Sequence, residues 1–311
     1  MRIAIVGAGL AGLSCGARLA GAGHAVSLFD KGRGPGGRLS HRRAETPLGE
    51  ARFDHGAQYF TARDPDFRRQ VDAWVRDGLA APWPAAGDDA LVGVPGMNAP
   101  AKALAAGLDV RCSARVERLA REGGAWRLAG EGVDAGPFDA AVVAVPAEQA
   151  GALVRDHAPD FADAADATPG APCWTVMAAF PERLATLDDV VKRRGPVGWA
   201  ARDSAKPGRS GPESWVVQAG PDWSREHLEE APAAIVPKLL AALADAAGGA
   251  LPEPAAASAH RWRYARSGSL GRDALWDAET RLGVCGDWLL GPRVECAWVS
   301  GFRLAGTMLA G

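Results

Sequence analysis

A chain of 311 residues has room for one large or two modest domains around a real core. Its 35 Lys and Arg against 37 Asp and Glu leave a formal charge of −2, which removes any electrostatic case for nucleic acid or an anionic membrane. No apolar run reaches the ~18–20 residues of a membrane helix. Five scattered cysteines with no Cys-x-x-Cys argue against a zinc site, a redox dithiol or a disulfide framework, and fit a reducing cytoplasm. The six histidines show no ligand spacing, so no metal site is expected.

The chain opens on the apolar, strand-type run Met1-Arg-Ile-Ala-Ile-Val6. Gly7-Ala-Gly9-Leu-Ala-Gly12 follows at once, and an Ala-rich helical pattern continues to about Gly21. A second apolar run, Ala25–Phe29, ends at Asp30. Strand, glycine turn, helix, strand and acid in this order are the dinucleotide-binding fingerprint in its required context. Gly7 permits the tight turn, Gly9 lets the backbone approach a pyrophosphate, and Gly12 lets helix and strand pack closely. The helix start offers unpaired N–H groups and a positive dipole end to phosphate, and Asp30 can accept from ribose hydroxyls. A secretory signal is the competing reading. Arg18 interrupts its apolar stretch and no Ala-x-Ala cleavage pattern appears.

Lys31-Gly-Arg-Gly-Pro-Gly36-Gly37-Arg38 is a second glycine-rich, basic loop. Nicotinamide dehydrogenases have no need of one here, whereas an extended, buried FAD needs a second loop along its length. Arg38 would add a positive fork beside phosphate; the alternative is a plain surface turn. Asp64 then reads as the N-cap of an amphipathic helix with Pro65 in its first turn. After a break at Pro82-Trp-Pro84, residues 96–150 return to a helix and strands, ending in the fully apolar Ala140–Val145 of a strand covered on both faces. From 151 to 277 proline and tryptophan become frequent. Strands are expected at Trp174–Phe180 and Ser214–Gln218, a mobile hairpin loop at 205–212, and a helix over 232–247. Residues 278–311 read as a strand, a loop and a closing helix. Asp287 follows Gly286 at the strand end, where a carboxylate can bond a ribityl or phosphate group. Ser300-Gly301 is taken as the start of the last helix, its N-terminus aimed at the flavin's N1–O2 edge.

Gly36-Gly37-Arg38 with Phe53-Asp-His-Gly-Ala-Gln-Tyr-Phe-Thr61 resembles the flavin amine-oxidase superfamily, and more narrowly the bacterial renalases and their NAD/FAD-dependent oxidoreductase relatives. Pro95-Gly-Met97, Val116–Leu128, Asp139–Pro146, His260-Arg-Trp-Arg-Tyr264, Gly283–Asp287, Val294-Glu295 and Ser300-Gly301 agree in order across nearly the whole chain. The resemblance implies an α/β fold: a Rossmann-type FAD-binding domain with a smaller mixed-sheet α+β substrate domain. It assigns 1–63, 96–150 and 278–311 to the first, and 64–95 and 151–277 to the second. FAD contacts are then expected at Gly7, Gly9, Gly12, Asp30, Lys31, Gly36, Gly37, Arg38, Ala57, Gln58, Val116, Gly286, Asp287 and Ser300. It also puts Tyr59 and Trp262 on the substrate side of the flavin, where two aromatic walls could hold a flat nicotinamide ring.

The activity so implied is oxidation of misreduced NAD(P)H isomers to NAD(P)⁺, with O₂ reoxidising the flavin to give H₂O₂. A flavin brings its own reactive centre, so the lack of an obvious acid–base dyad does not count against it. Two readings stand beside this one: a flavin amine oxidase or desaturase-like enzyme, and an FAD-binding protein without turnover. The chain is short for an amine oxidase, and 294–298 carries one aromatic where paired aromatics would cage an amine. Arg261 and Arg263 flank Trp262, and strand alternation puts both on the face opposite it. They could hold substrate phosphate or simply be solvated, and Glu295 has no assigned role.

Overall fold

The computed structural model describes residues 1–311. In chain order the elements begin with β1 (Arg2–Val6), α1 (Leu10–Gly21), β2 (Ala25–Phe29), β3 (Arg42–Thr46) and β4 (Gly49–Phe53). Next come α2 (Pro65–Arg76), β5 (Ala80–Pro82), β6 (Leu91–Gly93), α3 (Ala99–Ala105) and β7 (Asp109–Arg111). The hairpin β8 (Arg115–Glu122) and β9 (Ala125–Glu131) leads to β10 (Val133–Phe138), β11 (Ala140–Val143), α4 (Ala147–Val154) and α5 (Pro159–Asp166). Then follow β12 (Ala171–Phe180), β13 (Val190–Arg194), β14 (Val197–Arg202), β15 (Glu213–Ala219), α6 (Pro221–Glu226) and α7 (Pro232–Ala247). The chain closes with β16 (Ala256–Arg266), β17 (Leu275–Asp277), β18 (Leu282–Val284), α8 (Asp287–Leu290) and α9 (Val294–Ala310).

The fold is α/β, with a Rossmann-like sheet and a second, antiparallel one. The Rossmann-like sheet has the order β17-β18-β11-β1-β2-β7. β1 lies parallel to both β2 and β11, with Val6 opposite Phe29 and Val143. All four residues of β11 are buried, as its unbroken apolar run requires of a strand covered on both faces. α1 and α9 pack together with unusual closeness: a Cβ on Gly301 would stand 1.9 Å from the Ala11 carbonyl oxygen. Ser14 Oγ donates to the Trp298 carbonyl at 2.8 Å and Arg18 to that of Phe302 at 2.7 Å, locking the pair.

The five-stranded sheet runs β13-β14-β15-β12-β16. β12 is the case of period-2 alternation buried on both sides. Trp174, Val176, Ala178 and Phe180 join Ile235, Leu239 and Leu243 of α7 in one cluster, while Met177 and Ala179 meet Ala51 and Phe53 of β4 in another. The capped helix falls where the sequence places it: the Asp64 carboxylate accepts from the N–H groups of Asp66 and Phe67. The helix over 232–247 also forms as expected. Packing crosses the sequence blocks, however. Phe67, Trp74, Trp83 and Val92 share a core with Ile3 and Leu13, and α5 packs with the Rossmann-side residues Val143 and Ala147.

The stretch 205–212 differs from the expected mobile loop. Its Pro and Gly content does make it irregular, but Lys206 is buried and the Arg209 side chain is only 1 % exposed, both tied into charged partners described below.

Candidate cofactor and substrate cavity

A cavity of about 2780 Å³ runs along the carboxyl ends of β1 and β2 and on under the five-stranded sheet. Ordinary ligand pockets measure about 300–1,000 Å³, so this cleft has room for more than one drug-sized molecule. Gly9 borders it, and a Cβ placed there would meet no protein atom within 4 Å. It would instead project into the space where a pyrophosphate would lie. Gly12 is different: its Cβ would stand 2.0 Å from the Gly7 carbonyl oxygen, so this glycine serves helix–turn packing. Gly7 has φ +105°, a conformation that side chains resist. The first turn of α1 carries no acid and no side-chain cap, which leaves its N–H groups free for an anion. These features fit the pyrophosphate of FAD.

Asp30 ends β2 on the cavity wall, where its carboxylate accepts from the N–H groups of Ala8 and Gly32, each at 2.7 Å. Those bonds fix its position and leave lone pairs for ribose hydroxyls. Lys31 reaches Gln149 Oε1 at 3.2 Å; burial and the nearby Arg115 charge push its ammonium down, against Asp30. The second glycine loop lies directly on the first: the Gly36 N–H donates to the Ala8 carbonyl at 2.9 Å, and a Cβ on Gly37 would touch Gly9 Cα at 3.3 Å. Arg38 pairs with Asp287 at 2.6 Å and donates to the Ala265 carbonyl at 3.3 Å. One guanidinium thus links the loop, the end of β18 and β16. Val116, Ala57, Gln58 and Gly286 also line the cavity.

Ser300 requires a correction. It is not the start of the last helix but the seventh residue of α9, fully buried and outside the cavity lining. Its hydroxyl accepts from the Gly286 N–H at 3.0 Å, so it holds the strand end that carries Asp287. The helix begins two turns earlier because Gly291, at φ +144°, and Pro292 turn the chain there. Val294, Glu295 and Ala297 are its cavity-lining residues. Glu295, itself buried, accepts from the N–H groups of Arg63 and Asp64 and pairs with Arg293 at 3.2 Å.

Behind the Gly56–Tyr59 segment lies a charged cluster whose Asp54, Asp203, Lys206 and Arg209 side chains are buried. Asp54 pairs with Lys206 at 3.2 Å, with His41 at 2.8 Å and with Arg209; Lys206 also pairs with Asp203 at 2.7 Å. Burial alone would raise the Asp54 carboxyl, but Lys206, His41 and Arg209 together hold it far below its ordinary value. Lys206 also donates to Gln58 Oε1 at 3.2 Å, and Gln58 donates to the carbonyls of Asp54 and Gly56. The cluster therefore fixes the segment that presents Ala57, Gln58 and Tyr59. Sequence reading missed Asp54, Asp203, Lys206 and Arg209, because Asp54 lies about 150 residues from the other three.

Tyr59 and Trp262 both line the cavity, each backed by an aromatic ring that the sequence did not single out. Tyr59 stacks on Trp199 at 5.2 Å between centroids, and Trp262 on His55 at 5.4 Å. The Trp262 indole N–H donates to the His55 carbonyl at 2.8 Å, which fixes its plane. His55 and His260 stand inside the quoted motifs, and spacing of two from Trp262 along β16 was the available signal for His260. Burial, His260 and Arg42 push His55 down to about 3, and burial and Arg42 lower His260, so both imidazoles are neutral at pH 7. Burial pushes the cavity-lining Cys173 thiol up, so no thiolate nucleophile stands there. Arg261 and Arg263 share Glu229, at 3.1 and 2.7 Å. Fourteen Arg and Lys line the cavity against six Asp and Glu.

Two family models cover most of the chain. One, of NAD(P)-binding Rossmann-like domains, matches residues 5–74. The other, of flavin-containing amine oxidoreductases, matches 84–309. Among solved structures, a candidate protoporphyrinogen oxidase from Exiguobacterium sp. 255-15 superimposes with a TM-score of 0.77 at 13% identity, over 100% of this chain and 99% of that one. Cyclohexylamine oxidase from Brevibacterium oxydans IH-35A gives 0.71 at 12% identity, over 99% and 98%. An oxidoreductase from Methanosarcina mazei gives 0.59 at 14% identity over the whole of both chains. At these identities the likeness is one of fold.

Proposed function

The chain belongs to the flavin-containing amine oxidoreductases, as an FAD-dependent oxidoreductase, and we propose that within that family it oxidises misreduced NAD(P)H isomers in the manner of renalase. The observation that carries this reading is the charge of the cavity. Fourteen cationic side chains against six acids exceed what one FAD pyrophosphate neutralises. The surplus suits a second polyanion, such as a dihydronicotinamide dinucleotide, and opposes the ammonium of a simple amine.

FAD would lie with its pyrophosphate over Gly9 and the start of α1, its adenosine ribose at Asp30, and its ribityl region near Arg38 and Asp287. The FAD-binding part is then 1–63, 96–150 and 278–311, and the substrate part is built on the five-stranded sheet. The chemistry supplied by bound FAD is two-electron acceptance from the dihydronicotinamide ring to give NAD(P)⁺, with O₂ as final acceptor and H₂O₂ as product. The chain contributes position. Tyr59 backed by Trp199, and Trp262 backed by His55, are flat walls for a planar ring. The neutral imidazoles and the protonated Cys173 offer no strong base and no nucleophile, and this oxidation requires neither. Five unpaired thiols and the lack of a helix long and apolar enough to cross a membrane fit a cytoplasmic site of action.

The test is an anaerobic stopped-flow mix of the yellow holoprotein with NADH isomers. Loss of flavin absorbance is expected with the minor isomers and not with ordinary NADH. Bleaching by amines, with none by any dihydronicotinamide isomer, would reject the reading.

A further inference from the structure

Next to the Trp262 wall stands a group of side chains whose ring nitrogens and charge have no task in that account. His55 is 5 % exposed, and its Nδ1 has no hydrogen-bond partner. Its ring meets His260 edge-on at 5.1 Å, and His260 in turn meets Trp262 edge-on at 4.5 Å. Arg42 begins β3 two residues before Ala44, whose side chain packs against the cluster under the five-stranded sheet, so strand alternation directs Arg42 to that same side. It is half-buried, lines the cavity together with both imidazoles, and has no acidic partner. The acid nearest in sequence to His55 is Asp54, already held by Lys206, Arg209 and His41.

A half-buried guanidinium without a counter-charge, beside two unpaired imidazoles, is an electrostatically incomplete unit. Its effect shows in the lowered basicity of both rings, to which Arg42 contributes. The neighbouring cations of β16 are in a different position. Arg261 and Arg263 share the carboxylate of Glu229 as a counter-charge. We propose that Arg42, His55 and His260 form an anion-binding subsite that takes the diphosphate of the substrate dinucleotide. This rests on the dinucleotide reading given above. The guanidinium fork matches phosphoryl oxygens in a bidentate way, and the imidazole N–H groups supply further donors. The charged and titratable groups facing the two rings are Arg42, Asp54 and the rings themselves. Asp54, held far below its ordinary value, keeps its charge between pH 6 and 8, so an arriving anion draws a proton onto an imidazole. Binding therefore takes up protons and tightens as pH falls.

The probe is inorganic pyrophosphate, titrated into the FAD-loaded protein. Histidine Cε1–H resonances are followed by NMR, and calorimetry is run in two buffers of different ionisation enthalpy. The six histidines keep assignment simple, with His55→Gln and His260→Gln identifying the two signals. Saturable binding is expected, with proton uptake and upward movement of both His titrations. Affinity should fall about tenfold or more in Arg42→Gln, since a charged donor pair is lost, and recover in part in Arg42→Lys. Absence of saturable binding in the wild type, or unchanged affinity in Arg42→Gln, overturns the subsite. The two readings fail separately. Arg42-dependent pyrophosphate binding without bleaching by any dihydronicotinamide isomer keeps the subsite and rejects that substrate. Bleaching of Arg42→Gln at unchanged isomer concentrations rejects the subsite alone.

Discussion

Gly9 and Gly12 are three residues apart in one motif, yet alanine should affect them in opposite ways. A Cβ at Gly12 would stand 2.0 Å from the Gly7 carbonyl oxygen and 3.3 Å from Ala144 Cβ. Backbone must move to admit it, so Gly12→Ala should cost about 1–3 kcal/mol of overpacking or more. At Gly9 the backbone is extended, φ −73° and ψ 178°, which alanine adopts freely, and nothing lies within 4 Å. Reduced freedom of the unfolded chain contributes roughly 0.4–1 kcal/mol in favour of alanine. Loss of a glycine N-cap costs a similar amount, so the apoprotein should melt within about 0.5 kcal/mol of wild type. FAD is another matter. A methyl in the cradle displaces the pyrophosphate from the α1 N–H groups. Losing two charge-assisted bonds of about 1.5 kcal/mol each weakens Kd roughly a hundredfold. The assay pairs thermal unfolding of both apoproteins with the flavin-to-protein ratio and an FAD titration. A Gly9→Ala protein that purifies with wild-type flavin, or melts well below wild type as apoprotein, would refute this division of roles.

Trp262→Ala should slow anaerobic flavin reduction while FAD stays bound, because the indole is assigned to the substrate and not to the FAD cradle; an unchanged reduction rate rejects the stacking role. Asp30→Ala removes the acceptor of the Ala8 and Gly32 N–H groups, so it should lower stability by about 1–3 kcal/mol and reduce FAD content. Wild-type FAD content in that variant argues against the ribose assignment. Asp54→Asn leaves the buried Lys206 and Arg209 with the Asp203 carboxylate alone between them and should cost about 3–5 kcal/mol at pH 7. The Asp54 carboxyl is held far below its ordinary value in the folded state, so its contribution is fully present above the unfolded value near ~3.9 and is lost progressively as pH falls from there through the much lower folded value. The gap between the denaturant curves of wild type and variant should therefore be smaller at pH 3 than at pH 7, by about 1 kcal/mol, without closing; an equal gap at both pH values contradicts the ion-pair account.

Local signals were legible and distant ones were not. Gly7, Gly9 and Gly12 fall in the turn, cradle and packing positions that their spacing implies, because all three act within one strand–turn–helix unit. Asp64-Pro65 marks its helix for the same reason, a cap being a bond between residues two and three apart. The split of β16, with Arg261 and Arg263 on Glu229 and Trp262 on His55, follows from strand alternation. Ser300 misled because Ser-Gly reads as a helix start, whereas the true signal, Gly291-Pro292, sits upstream. The loop at 205–212 misled because composition reports backbone freedom and is silent on the Asp54 carboxylate that captures Lys206 and Arg209. Trp199 as the partner of Tyr59 depends on how one sheet lies over another, which no local pattern encodes.

The α1–α9 contact bears on how the protein is made. The central strand of the Rossmann-like sheet leaves the ribosome more than a hundred residues ahead of its neighbour β11. The helix that grips α1 through Trp298, Gly301 and Phe302 comes later still. Until α9 emerges, the glycine turn has its nucleotide-facing side formed and its rear unsupported. Non-local pairing of this kind is slow to close and leaves apolar surface waiting. A cell short of riboflavin should thus lose this protein during biosynthesis, as nascent chains cleared before they capture cofactor, well before its finished molecules fail.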